Sequence, residues 1–284
     1  MRNILFVDSA LLHEKLLEAL GQIYCRPDET VLNLIREYET KETHPLAKDM
    51  LQSILKNADI ARQQSLPCCQ DTGTPVLFIR KGEDFCLGDG DIFSTIEAAL
   101  EQGWQKYHLR RSMVEEPLFE RKIIQDRPAP VIHWENVPGN TLEVKLALKG
   151  GGAENMAAHY MLPTSTTAEE VVERVVAHVV NVGGQPCPPV IVGIGLGGNF
   201  ESSALLAKRA LLEPTGRAHP DVRYAELEQK ILNEINRCGK GVMGLGAGPT
   251  ALAVHILTEP CHIASLPLAV NLDCHAHRHT GFTL

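Results

Sequence analysis

The sequence predicts an α/β (α+β) protein in which helices flank a mixed β-sheet and a helical segment comes first. Apolar residues recur every three or four positions between about residues 11 and 61, which is the spacing of one helix face. Strand-like and helix-like runs then alternate without a strict βαβ order, which favours a mixed sheet. Hydrophobic residues make up 44% of the 284 residues, enough for a sizeable core. We expect one domain over residues 1–284, with an α/β core at about 62–284.

The helical segment contains three apolar-periodic runs, which are separated at Pro27 and Pro45. They cover residues 11–24, 31–39 and 46–62. A strand is then predicted at 74–82 ("TPVLFIRKG"), and a helix that starts with an aspartate at 91–107. Residues 130–150 hold two alternating runs on either side of "VPGN", which predicts a pair of adjacent strands.

The second half of the chain predicts three more helices and two more strands. The helical runs are periodic and end near glycine or proline, whereas the strands are continuous apolar runs. The helices are predicted at 167–183, 200–214 and 225–239, and the strands at 188–195 and 263–272. No internal repeat is visible in this order of elements.

The composition excludes two classes of partner. Acidic residues outnumber basic ones, 35 to 27, and no dense run of Lys or Arg is present, so we expect no nucleic acid partner. No apolar stretch approaches the roughly 18 residues of a membrane span, so we expect no membrane partner. The N-terminus lacks the long apolar core and cleavage site of a secretory signal. We expect a cytoplasmic protein whose eight cysteines stay reduced.

Three glycine-rich loops occur, at residues 149–155, 193–199 and 244–250. Their bare amides could hold carboxylates or sulfides, or the glycines could simply permit tight turns and close packing. The second loop satisfies G-x-G-x-x-G between a predicted strand and helix, so a nucleotide-dependent oxidoreductase is one alternative. The segment that follows lacks the second strand and its terminal acidic residue, which disfavours that alternative.

Three of the cysteines, Cys69, Cys187 and Cys274, lie in loops rich in glycine, proline and polar residues. Their wide separation matches neither paired zinc knuckles nor ferredoxin runs, and it suits a cluster bound by several loops of one fold. Cys68 and Cys69 are adjacent, and because neighbouring side chains diverge, only one of them is expected at such a site.

A zinc site is a second alternative for the last of these loops. "CHAHRH" could place Cys274, His275, His277 and His279 around one ion. Four ligands within six residues would strain a tetrahedral site, so this alternative is disfavoured. The remaining cysteines lie in apolar stretches or beside helix ends, where packing is the expected role: Cys25, Cys86, Cys238 and Cys261.

Several motifs together resemble those of the iron–sulfur (class I) fumarate hydratases and the related L-tartrate dehydratases, in particular their cluster-bearing N-terminal domain or α subunit. The motifs are "CQDTG" (69–73), "LRRS" (109–112), "GGGAEN" (150–155), "CPPVIVGIGLGG" (187–198), "GLGAGPTALAVHI" (244–256) and "HIASLPLAVNLDC" (262–274). The resemblance covers nearly the whole chain. It implies that Cys69, Cys187 and Cys274 bind a [4Fe-4S] cluster, and that Cys68 does not.

The resemblance also assigns the chemistry. Three thiolates leave one iron of the cluster without a protein ligand, so that this iron can act as a Lewis acid and is sensitive to oxygen. By resemblance, Gln70, Asp71, Arg110 and Gly151 bind the substrate, Asp71 and His262 are catalytic, and Arg110 clamps a carboxylate with two parallel hydrogen bonds. Arg278 and its neighbouring histidines are expected to supply positive charge near an anionic site.

The expected activity is the reversible hydration of fumarate, a small dicarboxylate, to L-malate. L(+)-tartrate dehydration to oxaloacetate is the close alternative, and a non-catalytic iron–sulfur carrier or sensor is a remote one. Single-chain members of the family have a second domain, and this sequence ends ten residues after Cys274. The resemblance therefore implies an α subunit that needs a separately encoded β subunit, in an α2β2 assembly.

Overall fold

The computed structural model describes residues 4–284, and its helices and strands confirm the α/β class. Contacts divide these residues into two compact units. The first unit comprises residues 4–28, 58–151 and 278–284, and the second comprises 29–57 and 152–277. The single-domain assignment stays a prediction.

The first unit contains a four-stranded sheet, a two-stranded sheet and two long helices. Its elements are β1 (Leu5–Val7), α1 (Ser9–Ile23), β2 (Thr74–Gly82), β3 (Phe85–Leu87), α4 (Ile92–Lys106), β4 (Val131–Val137), β5 (Leu142–Lys149) and β10 (His279–Thr283). The main sheet has the order β10-β5-β2-β4. Strands β2 and β4 are parallel, whereas β5 is antiparallel to both β2 and β10. The small sheet pairs β1 with β3 in parallel.

The predicted pair of adjacent strands around "VPGN" is wrong. Both strands form, but β2 lies between β4 and β5 and pairs with each. The connecting turn crosses the end of β2, where the Gly82 amide donates to the Thr141 carbonyl oxygen at 2.7 Å. Most of β2 is buried, and a strand with apolar side chains on both faces is stabilised by a central position.

The core of the first unit forms where α1 and α4 pack on the main sheet. Leu16 and Leu20 of α1 and Ile96 and Leu100 of α4 are fully buried there. The Asp91 carboxylate caps α4 by accepting from the Ser94 amide at 2.8 Å. The predicted start of this helix is thereby confirmed.

The second unit is built around a second four-stranded sheet. Its elements are α2 (Glu29–Lys41), β6 (Ala158–Leu162), α6 (Ala168–Val182), β7 (Val190–Gly197), α7 (Phe200–Ala210), α8 (Val222–Cys238), a 3-10 turn (Val242–Gly244), β8 (Ala251–Glu259) and β9 (Leu266–Asp273). The sheet order is β6-β9-β7-β8, with β7 and β8 parallel and β9 antiparallel to β6 and β7. Valines of α6 and isoleucines of α8 are buried in this unit's core.

Two helices extend through the boundaries of the units. Helix α3 (Pro45–Gln64) contributes residues 45–57 to the second unit and 58–64 to the first, and the four-residue α5 (Gly151–Glu154) begins at the other boundary. Pro45 is the first residue of α3, where its missing amide proton costs nothing. The three predicted N-terminal helices and the later ones are confirmed. Strands β1, β3, β6, β8 and β10 were not predicted. No helix among residues 4–284 is both long and apolar enough to cross a membrane.

Candidate functional site

In the first unit, the loop before β2 separates the two adjacent cysteines. Cys68 is only 7% exposed, and its amide donates to the Tyr24 carbonyl oxygen at 3.0 Å. Burial raises the pKa of the Cys68 thiol to about 11, although the charge of Arg278 opposes this shift. Cys69 is partly exposed, with its Sγ 3.6 Å from Gln70 Oε1. A thiol that stays protonated is a poor metal ligand, which disfavours Cys68.

The carboxylate of Asp71 is held by two backbone amides. Its Oδ1 accepts from Gly73 N at 3.0 Å, and its Oδ2 accepts from Gly151 N at 2.8 Å. The predicted substrate residues Asp71 and Gly151 are thus in contact, and Gln70 is exposed beside them. Because backbone N–H groups only donate, both carboxyl oxygens of Asp71 act as acceptors in this pair of contacts.

Thr72 joins this loop to the "LRRS" segment. The Arg110 amide donates to Thr72 Oγ1 at 3.0 Å, and Thr72 is buried while the Arg110 side chain is exposed. Gly73 has φ +80°, and a β-carbon there would lie 2.3 Å from the Lys149 carbonyl oxygen, so only glycine fits. Arg111, the second arginine of the motif, pairs with Glu101 of α4 at 2.6 Å.

In the second unit, the loops that carry Cys187 and Cys274 meet. Cys187 is partly exposed with φ +56°, and its carbonyl oxygen lies 2.9 Å from Nδ1 of His275. Cys274, also partly exposed, follows β9, and its carbonyl oxygen accepts from the His277 amide at 3.0 Å. The His277 ring is buried, with Nδ1 2.8 Å from Asp273 Oδ2. Two of the three predicted cluster ligands therefore belong to adjoining loops.

His262 lies in an exposed turn before β9, in the same unit. Its Nδ1 accepts from the Ala264 amide at 3.1 Å, so the neutral ring carries its proton on Nε2. Cys274 follows the other end of β9, and eight strand residues at about 3.3 Å each separate the two ends by more than about 20 Å. The structure does not bring His262 to Cys274 within one chain.

The three predicted cysteine ligands fit the cluster that the motifs imply, both in their chemistry and in their exposure. All three predicted ligands are partly exposed loop cysteines, and thiolates are the usual ligands of iron–sulfur clusters. Among residues 4–284, no group of three or more His, Cys, Asp or Glu could hold a metal ion. The partners of the histidines disfavour the zinc alternative: His275 and His277 have the contacts described above, and His279 Nε2 lies 3.7 Å from Asp28 Oδ2.

The glycines of the G-x-G-x-x-G sequence allow helix α7 to pack closely on β7. A β-carbon on Gly193 would lie 2.2 Å from the Ala207 carbonyl oxygen, and one on Gly195 would lie 2.0 Å from that of Ser203. The Asn199 side chain already accepts from the first amides of α7, those of Glu201 and Ser202, at 2.9 Å each. This arrangement supports the packing interpretation, since a bound pyrophosphate would need such amides.

Two residues at the site, Thr72 and Asp273, have no role among the predictions made from the sequence. Thr72 was visible only as the fourth residue of "CQDTG", and its contact is 38 residues away in the chain. Asp273 precedes Cys274 and is the kind of residue that orients a neighbouring histidine. The feature of the sequence that could have identified Asp273 was its place beside a proposed ligand in a histidine-rich segment.

Comparisons with known proteins agree with the motifs. A family model described as "Fumarate hydratase (Fumerase)" matches residues 13–283. The putative L(+)-tartrate dehydratase subunit alpha of Methanocaldococcus jannaschii is 37% identical over 257 residues, which are 88% of this chain and 89% of that protein. The L(+)-tartrate dehydratase subunits alpha of Escherichia coli K12 and Shigella sonnei are each 30% identical over 262 residues, 91% of this chain and 86% of theirs.

The fold and its matches define an enzyme of the hydro-lyase class. The chain belongs to the fumarate hydratase (Fumerase) family. The resemblance inferred from the motifs is confirmed.

Proposed function

We propose that the chain is the α subunit of an iron–sulfur hydro-lyase that reversibly hydrates fumarate to L-malate. The observation that carries the proposal is the carboxylate of Asp71, two residues after Cys69 and fixed by the amides of Gly73 and Gly151. A side chain held by two donors needs no reorganisation before it exchanges a proton with a bound substrate.

The other residues of the loop support binding of a dicarboxylate. Gln70 is exposed beside Asp71, and Arg110 is tied to the same loop through Thr72, so its guanidinium can clamp one carboxylate. The amide of Gly151 is used by Asp71. We therefore propose that Gly151 contributes mainly by orienting Asp71.

The proposed cofactor is a [4Fe-4S] cluster held by Cys69, Cys187 and Cys274. When bound, it would supply one iron without a protein ligand as a Lewis acid for the substrate's carboxylate and hydroxyl. The adjoining loops of Cys187 and Cys274 and the partial exposure of all three thiols support this ligand set. Cys68 is buried and is left out of it.

His262 is proposed to act across a contact between two copies of the chain. It lies more than about 20 Å from Cys274 along β9, too far to reach a substrate bound near Cys274 of its own chain. Its exposed position and its Nε2–H suit a hydrogen bond to a substrate in a neighbouring site. An assembly with two α subunits, such as α2β2, would supply that contact.

The partner is proposed from the relatives, which are named as subunits alpha. A β subunit would complete the site, and the eight cysteines, which form no disulfide among residues 4–284, suit a cytoplasmic enzyme. L(+)-tartrate is the second candidate substrate, because the relatives at 37% and 30% identity are named L(+)-tartrate dehydratases.

The test is anaerobic co-expression of the chain with its β subunit, followed by assays on fumarate, L-malate, L(+)-tartrate and D-tartrate. We expect brown protein with bound iron and sulfide, turnover of L-malate and fumarate, and loss of activity in air. Turnover of L(+)-tartrate alone would establish the second candidate. Iron-free protein, or turnover of none of the four acids, would overturn the proposal.

A further inference from the structure

Arg278 brings a buried positive charge to the loop that carries Asp71. The residue is only 4% exposed, and its carbonyl oxygen accepts from the Leu148 amide at 2.9 Å, which fixes its backbone at the end of β5. A long cationic side chain is rarely buried to this extent without an anionic partner. The first unit therefore holds a guanidinium whose charge needs compensation.

The guanidinium of Arg278 lies close to Gly150. A β-carbon on Gly150 would lie 3.8 Å from Arg278 Nη2 and 3.6 Å from Asp71 Oδ2. The side chains of Arg278 and Asp71 thus border the same bare glycine. Its lack of a side chain leaves that space open between a cation and the proposed proton-transfer group.

Asp71 does not neutralise Arg278 directly. Its two oxygens accept from the amides of Gly73 and Gly151. Within residues 4–284, no hydrogen bond or ion pair joins the Arg278 guanidinium to another residue. Its nitrogens are not among the fully enclosed polar atoms that lack a partner, so they border space that a ligand can enter. Its charge is nevertheless felt nearby, because it lowers the pKa of the Cys68 thiol against the effect of burial.

We infer that Arg278 binds a carboxylate of the dicarboxylate substrate over Gly150. The inference rests on the proposed function. Arg110 is joined to the same loop by the hydrogen bond of its amide to Thr72, so two arginines would be available for the two carboxylates of one substrate. A planar guanidinium suits this task because it offers two parallel N–H donors to a carboxylate, which lysine cannot do. The spacing of the two arginines would then select diacids over monoacids.

The test compares Arg278→Lys and Arg278→Gln with Arg80→Gln in the complex with the β subunit. Arg80 is the matched control: it lies in the same unit, pairs with Glu135 and Glu143, and is 44% exposed. Binding of succinate, a non-reacting diacid, and of propionate, a monoacid, is measured by calorimetry together with iron content and the KM for L-malate.

We expect Arg278→Gln to weaken succinate binding and raise the KM by about 10-fold or more, because a charged hydrogen-bonded pair is lost. Arg278→Lys should be intermediate, propionate binding should change less than succinate binding, and iron content should equal that of wild type. Arg80→Gln should behave as wild type.

Succinate binding within twofold of wild type in both Arg278 variants would overturn the inference. Loss of iron from a folded Arg278→Lys variant would also overturn it, since Arg278 would then serve the cluster. A wild-type complex that binds succinate through Arg278 but converts none of the four acids would support the inference and refute the proposed function.

Discussion

Asp71 Oδ2 accepts a hydrogen bond of 2.8 Å from the amide of Gly151, a residue 80 positions further along the chain. The contact closes the loop of Cys69 onto the end of β5. It fixes one face of the proposed site without any side chain from the glycine.

Asp71→Asn should lower kcat by about 100-fold or more, because the amide cannot exchange the proton and its NH2 faces a backbone donor. The measurement is kcat at saturating L-malate together with iron content. Asp89→Asn is the control, since Asp89 also accepts from a backbone amide, that of Ser9 at 2.9 Å, but lies outside the proposed site. Equal effects of the two substitutions would contradict a catalytic role of Asp71.

Thr72→Val should raise the KM about fivefold with little change in kcat. The substitution removes the acceptor of the hydrogen bond from the Arg110 amide, which costs about 1 kcal/mol. The segment that carries Arg110 is then less well positioned. Thr72→Ser retains the oxygen and should restore the KM. If Ser and Val variants show the same KM, the hydroxyl has no positioning role.

The adjacent cysteines should respond differently to substitution. Cys69→Ser should abolish both iron binding and activity, whereas Cys68→Ala should retain the cluster and lose on the order of 1 kcal/mol of stability, since a small buried side chain is removed. Iron content and the visible absorption of the two purified proteins decide the matter. Retention of the cluster in Cys69→Ser would reverse the assignment.

Gly195→Ala should destabilise the protein by about 2–3 kcal/mol, because its β-carbon would lie 2.0 Å from the Ser203 carbonyl oxygen. Urea unfolding measures the change. Gly88→Ala is the control, since the nearest atom to a β-carbon there is 3.8 Å away. A stable Gly195→Ala protein would argue against the packing role of this glycine.

His255 of β8 should make stability depend on pH. Burial lowers its pKa to about 4 in the folded protein, below the ordinary 6.5, so the unfolded chain takes up the proton first as the pH falls. The stability that the neutral His255 ring contributes is complete above about pH 6.5 and is lost as the pH falls from about 6.5 to about 4. At pH 5 the loss is about 2 kcal/mol.

Urea unfolding of wild type and His255→Met at pH 7.5 and pH 5 tests this prediction. The two groups whose charge His255 senses are Glu213 and His277, and both remain in the variant. The variant should lose about 2 kcal/mol less than wild type on acidification. Equal losses would show that other groups cause the acid sensitivity.

The sequence by itself determined the helices, the fold class and the family. Helix periodicity and caps such as Asp91 depend on residues a few positions apart, so they can be seen in the chain directly. The three loop cysteines and the "CQDTG" motif identified the family for the same reason, because each motif is local.

Only the tertiary structure decided which distant segments meet. The place of β2 between β4 and β5 depends on which strand can be buried on both faces, and a turn sequence such as "VPGN" carries no information about that. The contact of Gly151 with Asp71 and the approach of Arg278 to Gly150 depend on the pairing of β5 with its neighbours. Such contacts join residues far apart in the chain, where local propensity has no influence.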